Sequence, residues 1–109
     1  MISWDDFEKI DIRTGTIREV MDFPKARKPA YQLTIDFGPL GIKRSSAQIT
    51  HHYTKEMLFG KQVVAVVNFP PRQIANFFSE CLVLGVYDEN NQVILLQPDN
   101  PTLNGQRIG

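Results

Sequence analysis

Asn68-Phe69-Pro70-Pro71-Arg72-Gln73-Ile74-Ala75-Asn76-Phe77-Phe78-Ser79-Glu80-Cys81-Leu82-Val83-Leu84-Gly85 is the stretch around which the rest of the chain is arranged. An apolar run, Val63 to Val67, leads into it, and a second, Cys81 to Val86, leads out. Between them Pro70 and Pro71 remove two backbone donors and fix two φ angles, so a strand cannot pass through. A stiff connection is therefore expected there, carrying Arg72, Gln73, Asn76 and Ser79 between two buried strands. Such a loop is where a binding surface belongs, the alternative being a rigid crossover and nothing more.

Upstream, Tyr31, Leu33, Ile35 and Phe37 alternate with Gln32, Thr34 and Asp36, the pattern of a half-buried strand. A turn follows at Gly38 to Gly41, and Ile42 to Ile49 reads as a third strand. That strand is rich in polar groups (Lys43, Arg44, Ser45, Ser46, Gln48), as a binding face or a solvated outer face would be. The first strand, Ile10 to Val20, changes phase near Gly15, where a bulge or sharp bend is expected. Thr54 caps a short helix that Gly60 ends. Asp88 to Asn91 turns a hairpin into Val93 to Leu96. At the start, Ser3 reads as a helix N-cap with Asp6 placed to complete a capping box, and Trp4 and Phe7 share a face.

The order is three strands, a short helix, two strands and an extra hairpin strand, with extensions at both ends. That is the element order of the OB-fold, an all-β, five-stranded Greek-key barrel with a short helix between strands 3 and 4 and, here, terminal extensions. Its second and third strands and adjoining loops bind oligonucleotides or oligosaccharides.

With 109 residues, 42% hydrophobic and 22% charged, the chain is expected to be one soluble domain over residues 1–109. No apolar run approaches the roughly 20 residues that span a bilayer, so no membrane insertion is expected. Cys81 has no partner for an intrachain disulfide, which fits the cytoplasm, and its apolar neighbours make it a small core residue. His51 and His52 are adjacent and point apart, with no further ligand at suitable spacing, so neither a metal nor another cofactor is expected. Ser79 beside Glu80, even with a histidine, forms no nucleophile-elbow pattern, and no enzymatic activity is expected. Net charge is zero, yet residues 25–75 carry eight cations and two acids while both flanks are net acidic. Cations gathered in this way suggest an anionic partner engaged over a restricted area.

The runs Asp11-Ile12-Arg13-Thr14-Gly15-Thr16-Ile17, Lys28-Pro29-Ala30-Tyr31, Lys43-Arg44-Ser45-Ser46-Ala47-Gln48-Ile49, Val64 to Ile74 and Ser79 to Gly85 resemble the CsaA branch of the EMAPII-type tRNA-binding domains. The resemblance runs over nearly the whole chain. In one respect the chain differs from the broader family: Cys81-Leu82 stands after Ser79-Glu80 where Gly-Met is usual. The resemblance implies a homodimer built partly from the terminal extensions, with Trp4, Phe7, Pro98 and Pro101 as interface elements. It implies tRNA as a partner, and alternatively an export-related chaperone that binds unfolded or precursor polypeptides.

For RNA, the expected contacts are Lys43, Arg44 and Arg72 to phosphates, with Lys28, flanked by Lys25 and Arg27, extending the rim. Ser46, Gln48, Asn68, Gln73 and Ser79 are expected to hydrogen-bond to sugar or base edges. Four or five phosphates contacted in a single-strand mode give a log–log salt slope near −3, at about −0.7 each. For peptides, Phe69, Pro71, Phe77 and Phe78 are expected to form an apolar pocket around the same loop.

Overall fold

A computed structural model describes all 109 residues, Met1–Gly109. Ser3 caps helix α1 (Trp4–Glu8): its hydroxyl accepts from the Asp6 amide while the Asp6 carboxylate accepts from the Ser3 amide, the expected capping box. Strand β1 (Ile12–Asp22) is the longest and pairs on both edges. Its first half runs antiparallel to β4 (Gln62–Val66) and its second half to β2 (Tyr31–Asp36). β2 pairs in turn with β3 (Ile42–Ala47) through a one-turn 3-10 helix at Gly38–Leu40.

Helix α2 (Lys55–Leu58) crosses from β3 to β4, capped by the Thr54 hydroxyl and followed by Gly60 at φ +80. β4 then pairs with β7 (Leu82–Val83), giving the order β3-β2-β1-β4-β7. The Glu80 amide donates to the Arg44 carbonyl at 2.7 Å and brings the last strand back toward β3. The result is the nearly closed OB-type barrel. Its core is the alternating set foreseen in β2: Leu33, Ile35 and Phe37 are fully buried, joined by Ile17, Val63, Ala65 and Leu58.

Three expectations change. The irregularity in β1 lies between Ile17 and Glu19, not at Gly15. Gly15 is glycine because of close approach: a Cβ there would stand 2.7 Å from Ile35 and from the Phe37 ring. The register shift follows Thr16, where pairing switches from β4 to β2, and the glycine lets the core close beneath the strand.

The Pro70-Pro71 segment is also more than a stiff connection. It opens a hairpin of β5 (Arg72–Ile74) and β6 (Phe77–Ser79). Its tight turn holds Ala75 at φ 54, a left-handed conformation unusual for a residue with a Cβ. The Gln73 side chain donates to the Ala75 carbonyl and braces that turn. The buried strand expected over the second apolar run, Cys81 to Val86, is likewise divided. After β7, Leu84 bonds through its amide to Val64 and through its carbonyl to Leu96. The chain then diverges as β8 (Gly85–Tyr87), paired with β9 (Val93–Leu95).

The C-terminal tail is ordered because β1 has an open edge next to the end of β2. Gly105 and Ile108 donate to the carbonyls of Thr14 and Ile12, and Thr14 donates to the Gln106 carbonyl. The Thr14 hydroxyl donates to the Leu103 carbonyl and accepts from the Gln106 amide. No helix is long and apolar enough to cross a membrane.

Candidate functional site

The site begins with a second, smaller core outside the barrel. Phe23, Ala30 and Phe77 are buried together, with Ala26 and Ile74 against them. The rings of Phe23 and Phe77 lie 5.4 Å apart and tilted. This cluster fastens the basic loop Pro24–Pro29 to the β5–β6 hairpin. Arg44, projecting outward from β3, covers it, its guanidinium 4.4 Å from the Phe77 ring centre, within cation–π range. A few apolar contacts thus draw cations from three separate parts of the chain to one side of the barrel.

Beside this cluster lies an open cleft of about 1100 Å³, walled by β3 and its continuation, the β5–β6 hairpin, β7 and the β8–β9 hairpin. Lys28, Ser46, Gln48 and Arg72, four of the residues singled out for RNA, line it. His51 and Tyr87 line it as well. Neither of these was expected. Their aromatic character was visible in the sequence, but the fold of the β8–β9 hairpin that delivers Tyr87 was not.

The other expected RNA contacts are placed differently. Lys43 leaves β3 on the same side as the buried Ser45 and Ala47, opposite Arg44, because side chains alternate across a strand. Lys43 does not line the cleft. Asn68 bridges two segments: its Oδ1 accepts from the Asp11 amide at 3.0 Å and its Nδ2 donates to the Lys9 carbonyl at 2.7 Å. Ser79 closes the seam between β3 and β6, accepting from the Ser46 amide and donating to the Cys81 carbonyl. The Glu80 carboxylate accepts from the Arg44 amide in the same seam. Gln73 braces the hairpin turn, as described above. None of these residues lines the cleft.

Among the expected peptide contacts, Phe77 is only 3% exposed and committed to the second core. Phe69 and Phe78 are exposed, as is Pro71, but none of them lines the cleft. Trp4 is 84% exposed and covers nothing in this chain, while Phe7 is half-buried. Pro98 lines an apolar groove of about 600 Å³ with Ile12, Val64, Leu84, Leu96 and Ile108, whereas Pro101 is exposed.

Ion pairing divides the cations into two sets. Ion pairs engage Lys9, Arg13, Arg18, Lys55 and Arg107. The remaining seven lysines and arginines, all between Lys25 and Arg72, have no carboxylate partner. Burial pushes the Cys81 thiol up to about 12, with the Glu80 charge adding to the rise, so it is protonated and unreactive at neutral pH. Asp88 is held below the ordinary carboxylate range by the Gln92 amide and then by His52, whose Nε2 lies 2.7 Å away. No group of three or more potential metal ligands is present.

Residues 12–107 match the family model described as "Putative tRNA binding domain". Over the full length of both chains, the structure is similar to a CsaA chaperone protein from Picrophilus torridus, with 55% identity and a TM-score of 0.93. It is similar also to the chaperone CsaA from Bacillus anthracis, with 51% identity, a TM-score of 0.95 and 99% of that chain covered. Among curated sequences it is 36% identical over 107 residues to a methionine–tRNA ligase from Porphyromonas gingivalis. The match takes in 98% of this chain and 15% of the ligase, so the chain spans about a seventh of that relative's length.

Proposed function

The chain belongs to the tRNA-binding domain family, in its CsaA-type branch, and from that premise we propose that it binds tRNA on the cationic face beside the cleft. The observation that carries this reading is the set of unpaired cations confined to Lys25–Arg72, several of them gathered around the second core. A cation without a carboxylate neighbour has no internal ion pair to give up when a phosphate arrives. Lys28, Arg44 and Arg72 contact phosphates, with Lys25 and Arg27 on the rim. Ser46 and Gln48 supply hydrogen bonds to sugar or base edges. Phosphate contacts give most of the affinity and position the RNA without reading its sequence. The barrel contributes binding and no catalysis.

The working unit in this reading is a homodimer. The apolar groove along Ile12, Leu96 and Ile108, together with exposed Trp4, leaves apolar surface at the terminal end that a second copy would cover. Two copies of the cationic face would favour a large folded RNA over a short strand.

Filter binding of total tRNA across a salt series tests the RNA contacts. Wild type is expected to show a log–log slope near −3, and Lys28→Ala/Arg72→Ala to flatten it by about 1.4. Retention that does not change with salt, or no retention at low salt, would sink the proposal. Light scattering on the same samples is expected to give twice the chain mass, and a monomer at micromolar concentration counts against the dimer. The second reading is capture of unfolded polypeptide. Exposed Phe69 and Phe78 favour it, and saturable binding of a denatured protein in the absence of tRNA retention would select it.

A further inference from the structure

We infer that the cleft seats an unpaired base against Tyr87, so that this face selects single-stranded RNA over duplex; the inference rests on the RNA reading above. Trp4, Phe59, Phe69, Phe78 and Tyr87 are the large aromatic side chains more than half exposed, and only Tyr87 lines the cleft. It is 75% exposed, and its hydroxyl makes no hydrogen bond within the chain.

The ring stands on a rigid mount. Tyr87 pairs across the hairpin with Val93, and the next residue, Asp88, organises the turn. Asp88 Oδ1 accepts from the Asn90 amide at 2.8 Å and the Gln92 amide at 2.9 Å. Its Oδ2 meets His52 Nε2 at 2.7 Å, which ties the hairpin to the loop after β3. At the other end of β8 a Cβ on Gly85 would come within 2.6 Å of the Ile94 carbonyl oxygen, so the two strands are pressed closely together. With the backbone held in this way, only the ring's own side-chain torsions are left to order when a ligand arrives.

The neighbours define the ligand. Tyr87 shares the cleft with two unpaired cations, Lys28 and Arg72, and with the amide of Gln48. An aromatic face beside cations is the chemistry of single-strand binding, where the ring stacks on a base and the cations take the phosphates. A duplex offers no free base face, because its bases already stack on one another. Selectivity for unpaired RNA follows from the ring, and salt dependence from the cations.

The experiment uses a short unstructured RNA carrying an internal 2-aminopurine, its duplex with the complement, and the full-length chain as wild type, Tyr87→Ala, Tyr87→Phe and Arg72→Ala. Wild type is expected to prefer the single strand and to quench the 2-aminopurine. Tyr87→Ala should weaken single-strand binding by about tenfold, abolish the quench and leave the salt slope unchanged. Tyr87→Phe should keep both affinity and quench. Arg72→Ala should lower the slope by about 0.7 and keep the quench. If Tyr87→Ala binds and quenches as wild type does, or weakens only polypeptide capture, base seating is overturned while RNA binding stands. If wild type binds neither this strand nor tRNA at low salt, the RNA reading itself falls and the inference with it.

Discussion

The same residue type is put to opposite uses at the two ends of this barrel. At the terminal end, Arg13 is about three-quarters buried and spent: its Nε donates to Asp11 at 2.6 Å and its Nη1 to the Gly105 carbonyl at 2.9 Å. Arg107 reaches the same carboxylate and donates to the Glu8 carbonyl. On the cleft side, neither the Arg44 nor the Arg72 guanidinium meets a carboxylate, and Arg44 rests on an aromatic ring. Arg13 and Arg107 clamp the tail to β1, whereas Arg44 and Arg72 remain open to a partner. A guanidinium in the sequence is a charge, and its role is fixed by what the fold places within 4 Å of it.

The largest expected effect separates these two uses by stability. Arg13→Ala strands a part-buried carboxylate and a tail carbonyl, and should cost about 1–3 kcal/mol in urea unfolding with no change in the tRNA salt slope. Arg72→Ala should leave stability within about 0.5 kcal/mol while lowering that slope. Equal effects on stability would break the comparison. Arg44→Ala falls between, because its guanidinium covers Phe77 and also faces outward. It should cost about 0.5–1 kcal/mol from the lost cation–π contact, and lower the slope by about 0.7.

The smallest effect concerns the carboxylate on the cleft side. Asp88 has its pKa depressed, so its contribution to hairpin order is present above the ordinary aspartate value of about 3.9 and is lost as pH falls through its own lower value. Amide exchange in the β8–β9 hairpin should stay protected down to that lower pH in wild type. Loss of protection should begin at higher pH in His52→Ala, which removes one of the partners that depress Asp88. Identical profiles would show that the backbone amides alone hold the turn.

Much of the barrel was legible. The alternation Tyr31 to Phe37 marked the core strand, Ser3 and Thr54 marked the two helix starts, and Asp88 marked the last hairpin turn. The concentration of cations between residues 25 and 75 was also visible, and those without carboxylate partners lie within it. The site was only partly legible. Alternation already separates Lys43 from Arg44, so treating the adjacent pair as one phosphate clamp overlooked the strand's own period. Phe23 and Phe77, 54 positions apart, gave no sign that they would meet. Asn68 and Ser79 looked like ligand contacts because they are polar residues in a loop, and proved to be braces.

By itself, then, the sequence determined strands, caps, turns and the charge bias, since each is written within a few neighbouring residues by backbone sterics and side-chain period. Only the tertiary structure decided which polar groups are spent and which remain free. Asn68 satisfies Asp11 across 57 residues, Ser79 satisfies Ser46 across 33, and the tail satisfies Thr14 across 89. A buried or seam-forming donor must find an acceptor wherever the fold brings one, and that partner is set by chain crossing, not by local pattern. Of the cations that no carboxylate claims, Lys28 and Arg72 are the two that line the cleft.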